Sequence, residues 1–215
     1  MKSYKLVLLC LIIIAPLSLM AQDIRGKWMQ VKIPHYISYP LINIIEITGD
    51  SIFSYNFDRL YDKGKLEITH DQLILRDTIS IEFEFLGNNI FVQNTPNQIE
   101  DDNTEFKFVR LLPTEDLNNM AKSLDSTIYR IPFPNEKLTF KLGEKMNQGH
   151  AYIINDPPIA FDHSSIEMFG ETYFLCFYTL GRLSYVFPIK EIYSDSLVLY
   201  GIPGAENEVV ARRVQ

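Results

Sequence analysis

Hydrophobic and polar residues alternate one by one through most of this chain, with a period of two rather than 3.6. Ile79, Ile81, Phe83 and Phe85 alternate with Ser80, Glu82 and Glu84, which predicts a strand with one buried and one wet face. Phe53, Tyr55 and Phe57 alternate with Ser54 and Asn56, Leu66 and Ile68 with Glu67 and Thr69, and Phe106 and Phe108 with Glu105 and Lys107. Turn signals separate these runs: Thr48-Gly49-Asp50-Ser51, Asp62-Lys63-Gly64, His70-Asp71 and Gly87-Asn88-Asn89. Links this short join antiparallel neighbours, because a parallel crossover needs about a dozen residues. About eight strands fit between Gly26 and Leu111. A meander of that size removes its edges most simply by closing into a barrel.

The period then changes. Thr114 can cap a helix whose first turn holds Glu115 and Asp116. Leu117, Met120, Ala121 and Leu124 fall at i, i+3, i+4 and i+7, an apolar stripe that predicts a helical connector over residues 114–125. Alternation resumes with Leu138, Phe140 and Leu142, and again with Leu183, Tyr185, Phe187 and Ile189. Parts of the second half echo the first in order: 66–73 resembles 166–173, 87–90 resembles 194–197, and 109–111 resembles 212–214. The reading is two tandem all-β modules, over 22–113 and 126–215.

Composition adds a compartment. Residues 1–21 have a basic start at Lys2 and Lys5, an apolar run, and Ser18-Leu19-Met20-Ala21 before Gln22, the layout of a removable signal peptide. Its removal takes two lysines and no acid, so the formal charge moves from −7 to −9. An acidic chain without a run of Lys or Arg is a poor partner for nucleic acid or anionic membrane. The expected location is the periplasm or the cell exterior, with no transmembrane segment after cleavage. Cys10 leaves with the leader, so Cys176 has no partner for a disulfide. Its apolar setting, Tyr173 to Tyr178, marks a buried hydrophobe rather than a nucleophile.

Candidate chemistry is sparse. His35 and His70 fall in loops or turns. His150, Asp156, Asp162 and His163 could converge on a metal, but their spacing matches no ligand motif. No Gly-x-Ser-x-Gly elbow, phosphate-binding glycine loop or His-Glu-x-x-His is present. Glu82 and Glu84 read as the wet side of a sheet. No catalytic residue, metal or cofactor is expected.

Ile24-x-Gly26-Lys27-Trp28, followed by the meander and the late Arg110, resembles the small lipocalin-like domains of bacterial secreted proteins. The resemblance covers about residues 22–113. It implies that Gly26 and Trp28 open the first strand and that Arg110 lies across the Trp ring at the barrel floor. In the second half Ile128-Tyr129-Arg130 stands where a Gly-x-Trp is expected, and Arg213 could close that barrel. The resemblance also places the loop from Pro34 to Leu41 over the open end, with Tyr36, Tyr39 and Leu41 as a ligand cover. The leading functional expectation is non-catalytic binding of a small, largely apolar molecule. The alternatives are a protein-interaction or inhibitor module with solid barrels, and an enzyme acting at the barrel mouth.

Overall fold

A computed structural model describes residues 22–32, 42–96, 103–132, 137–143, 151–152, 159–161, 163–202 and 208–214. The chain is all-β and antiparallel, in two modules. The first is a closed barrel of eight consecutive strands: β1 (Gly26–Lys32), β2 (Asn43–Ile47), β3 (Ser51–Asn56), β4 (Arg59–Ile68), β5 (Gln72–Leu75), β6 (Ile79–Phe85), β7 (Ile90–Pro96) and β8 (Asn103–Arg110). β8 returns to pair with β1, in the register Trp28↔Arg110 and Met29↔Val109. Closure follows from the alternation, because every strand has an apolar face that must find an interior. Ile45, Ile47, Leu66, Leu73, Phe83, Phe91 and Phe108 point inward with Trp28 and form that core.

Three of the four turn signals lie between strands, but Asp62-Lys63-Gly64 lies in the middle of β4. The chain reverses instead at Phe57-Asp58, between β3 and β4, and at Arg76-Asp77-Thr78, between β5 and β6. Phe57, Arg76 and Asp77 carry φ of 54°, 51° and 61° without being glycine. These two reversals have no glycine and no proline, and their only turn residues are Asn56, Asp58 and Asp77, a weaker signal.

The second module is a curled sheet, ordered β10-β9-β17-β16-β15-β14-β13. Its strands are β9 (Ile128–Pro132), β10 (Lys137–Lys141), β13 (His163–Phe169), β14 (Thr172–Thr179), β15 (Arg182–Ile192), β16 (Ser196–Leu199) and β17 (Val209–Arg213). The short strands β11 (Ala151–Tyr152) and β12 (Ile159–Ala160) pair separately. The two sheet edges meet where the Gly143 N–H donates to Ser164 O (2.9 Å) and Ser164 Oγ to Lys141 O (3.0 Å). Tyr129, Phe140, Phe161, Phe177, Tyr185 and Phe187 are buried together inside. Phe161 packs on Phe177 at 4.8 Å and on Tyr185 at 5.2 Å, so rings fill this interior.

The modules repeat the same bonds. The Arg110 N–H donates to Asn89 O (2.9 Å), and the Arg213 N–H to Asp195 O (2.7 Å). The Leu111 N–H donates to Lys27 O, and the Val214 N–H to Ile128 O, both at 2.8 Å. Trp28 stands opposite Arg110, as Tyr129 stands opposite Arg213. The position of Trp28 is therefore taken by Tyr129, one residue before the Arg130 that a Gly-x-Trp alignment selects. Glu67↔Ile74 corresponds in the same way to Glu167↔Phe174, the offset the 66–73 echo implies.

The connector departs from the amphipathic α-helix that the stripe predicts. Only a 3₁₀ turn forms, at Met120–Ser123. Thr114 caps nothing, because its hydroxyl donates to Ile189 O (2.6 Å). Glu115 is drawn alongside β15, with its N–H on Lys190 O (2.8 Å) and its carbonyl accepting from the Ile192 N–H (3.0 Å). Asn119, at φ 51°, interrupts what remains. Too few residues are left to nucleate an α-helix. The Asp116 carboxylate does accept from the Met120 and Ala121 N–H groups, at 2.7 and 3.1 Å. Leu117 is 86% exposed, whereas Leu124 is buried.

A third apolar cluster joins the modules. Met29, Val31, Ile44, Val109 and Leu111 point outward from the first barrel and meet Phe174, Cys176 and Val186 of the second. Phe57 packs edge-on against Phe174 at 5.3 Å, and Tyr55 against Phe169 at 5.1 Å. Gly201, at φ +64°, lies so close that a Cβ there would sit 2.8 Å from Val109 Cγ2. Cys176 belongs to this junction, and burial pushes its thiol pKa far above the ordinary value.

Candidate functional site: the two ends of the first barrel

One end of the barrel is sealed. Trp28 is 0% exposed, and its Nε1–H donates to Ile24 O at 2.7 Å. The Arg110 guanidinium lies 4.1 Å from the Trp28 ring, a cation–π contact of about 0.5–2 kcal/mol. Its Nη1 donates to Arg25 O (2.7 Å) and its Nη2 to Asp23 O, tying the segment before β1 under the floor. Arg25, hydrogen-bonded to the Asp23 carboxylate at 2.9 Å, holds that group's pKa below the usual carboxylate value. Gly26 explains why a glycine precedes the Trp. Its φ is +124°, and a Cβ there would lie 2.8 Å from Arg110 Nη1. Gly26→Ala is therefore expected to destabilise the barrel by about 1–3 kcal/mol through backbone strain and displacement of Arg110, read as a shift of the urea midpoint.

Above the floor the interior stays aromatic for one layer. Phe91 stacks on Phe108 at 4.7 Å and 7°, and Trp28 meets Phe91 edge-on at 4.7 Å. Phe83 and Phe85 pack edge-on at 5.7 Å. The other end differs among the described residues. On β1 and β2 the inward positions nearest it are Gln30 and Asn43. Asn43 Nδ2 donates to Gln30 Oε1 at 2.6 Å, and Gln30 is only 5% exposed. The Tyr61 hydroxyl reaches across from β4 and donates to Asn43 Oδ1 at 3.1 Å. A register shift between Ser54 and Tyr55 leaves Tyr61 outside the β3–β4 pairing.

On the opposite wall, β5 and β6 present Leu75, Ile79 and Ile81 inward, with Leu75 paired to Ile79. Ile79 is 52% exposed although it belongs to the inward face. At the rim the Arg76 guanidinium holds both oxygens of Asp62, at 2.7 and 2.9 Å. The mouth is thus split, with amides and a phenol on one side and aliphatic side chains on the other. Such a surface offers both apolar contact and neutral hydrogen-bonding groups.

Gly26, Trp28 and Arg110 come together as a floor. Tyr36, Tyr39 and Leu41 lie outside the described residues, as do His35, His150, Asp156, Asp162 and the leader 1–21. His163 lies beside Tyr178, with ring centroids 5.2 Å apart. No group of His, Cys, Asp and Glu suited to a metal occurs among the described residues. Sequence reasoning missed Tyr61, Gln30 and Asn43. Gln30 carried a usable signal, as a polar residue two positions from Trp28 and therefore on the same, inward face.

No family model matches the chain, and no curated protein matches it either. No helix among the described residues is long and apolar enough to cross a membrane.

Proposed function

We propose that the protein is an exported, non-catalytic, lipocalin-like binding protein whose first barrel takes a small, largely apolar molecule at its open end. The observation that carries this reading is Ile79, a large aliphatic side chain on the barrel's inward face that is nonetheless half open. With Leu75 and Ile81 it forms an apolar wall facing Gln30 and Asn43. Pockets of this kind combine apolar lining with a few orienting polar groups. The apolar body of the ligand would lie against β5 and β6, and a neutral polar edge would meet the amides of β1 and β2. The rings below set the depth, so the ligand is small. The leader at residues 1–21 supports export to the periplasm or beyond.

The test is native mass spectrometry of protein purified from an exporting host, with solvent extraction of any adduct, followed by titration with an environment-sensitive apolar fluorophore. A stoichiometric apolar adduct or saturable probe binding is expected. Ile79→Asp should weaken probe binding about tenfold or more, by placing a charge on the apolar wall, with little change in melting temperature. A probe that ignores Ile79→Asp, on a protein that carries no adduct, would overturn the reading.

A further inference from the structure

The intramolecular junction shows which faces of these modules dock, and the repeat shows where the same faces recur unused. The accepting face on the first barrel is built from Met29 on β1, Ile44 on β2, Val109 on β8 and Leu111 just beyond it. Met29 stands opposite both Ile44 and Val109. In the second module Arg130 stands opposite Thr139 and Arg212. Val214 repeats the hydrogen bond of Leu111. The apolar set Met29, Ile44, Val109 and Leu111 is thus replaced, position by position, by Arg130, Thr139, Arg212 and Val214. Like charges directly opposite each other on a sheet are destabilising, yet Arg130 and Arg212 are so placed and both are exposed. β9, β10 and β17 contain no acidic residue to offset them.

The inserting face of the junction recurs as well. In the second module it centres on Phe174, with Glu167 beside it. The equivalent pair in the first barrel is Ile74 with Glu67, on the outer face of β4 and β5. On β6 the same outer face carries Glu82, paired with Gln72, and Glu84. Glu67, Glu82 and Glu84 are all exposed.

Each copy of the chain therefore has an unused accepting face that is basic and an unused inserting face that is acidic. We propose that the protein associates head to tail with further copies of itself, the Arg130/Arg212 face of one copy seating on the Glu67/Glu82/Glu84 face of the next. The occupant is a second copy because both complementary surfaces lie on this chain and correspond to the two sides of a junction already formed within it. With a formal charge of −7, or −9 without residues 1–21, two copies repel at long range, so attraction needs these opposite patches to face each other. The contact is heterologous, and repetition gives open chains rather than closed pairs. An interface resting on charge is reversible and weakens with salt, unlike the apolar junction inside the chain.

Sedimentation of the whole leaderless protein tests this. At about 10 mM ionic strength, where screening extends to about 30 Å, the wild type should associate progressively with concentration, and about 0.5 M salt should return it to monomer. Arg130→Glu with Arg212→Glu should abolish association, and so should Glu82→Lys with Glu84→Lys. All four side chains are exposed, so circular dichroism and melting temperature should stay unchanged and show both variants folded. Mixing the two variants should restore association, because each supplies the face that complements the other. A wild type that stays monomeric, an association that survives either reversal, or a mixture that remains monomeric would each overturn the proposal.

Discussion

Trp28→Ala is expected to lower the stability of the protein by about 3–5 kcal/mol, the range for truncating a fully buried aromatic. The loss has several physical parts. The indole fills the bottom layer of the barrel against Phe85 and Phe91, at 6.3 and 4.7 Å, and a cavity would remain because those rings are held by their own strands. The Ile24 carbonyl loses its 2.7 Å donor. Arg110, partly buried, loses the π face beneath it. Urea unfolding followed by circular dichroism measures the effect, since the substitution also removes the only Trp. A cost under about 1 kcal/mol would mean that the floor does not hold the barrel closed.

The second large effect belongs to the junction. Phe174→Asp is expected to remove about 4 kcal/mol or more, because it deletes a buried ring and places a carboxylate directly opposite Glu167. Phe174 is fully buried between Phe57 and the outer face of the first barrel. The wild type should melt in one transition, because the connector is hydrogen-bonded into the second module. Thr172 Oγ1 donates to Leu112 O at 2.7 Å, and the Leu112 N–H donates to the Tyr200 hydroxyl oxygen at 2.9 Å. In the variant the modules should separate into two calorimetric transitions. A single transition at the wild-type temperature would show that the apolar cluster contributes little to coupling. Phe57 gives an independent sign of its strength, since a bulky side chain at φ 54° on a hairpin tip is strained. Burial against Phe174 is what offsets that strain.

The split mouth, the charged end faces and the apolar junction differ in how far the residues alone foretell them. Strand alternation gives the eight-stranded meander, because a period of two leaves an apolar face that only a closed sheet can bury. Gly26, Trp28 and Arg110 foretell the floor, since a guanidinium and an indole attract wherever the chain brings them together. The connector misleads, because its helical stripe is read without knowing that β15 would take hold of Thr114 and Glu115. That competition between a local helix and a distant strand edge is invisible in sequence.

What the sequence by itself determined is the class of fold, the polarity of each strand face and the composition of the barrel floor, all consequences of local period and of pair chemistry. Met29 and Val31 make β1 apolar on the face away from Trp28, and Phe174-Leu175-Cys176-Phe177 is apolar on both faces, which already implies a neighbour on the outer side. Only the tertiary structure decided that these two runs are each other's neighbours, that Tyr61 turns over the mouth, and that Arg130 and Arg212 occupy the positions of Met29 and Val109. The physical reason is the same for all three. Which residues meet depends on register and on which surfaces remain after each module has closed, and neither is encoded in a local pattern.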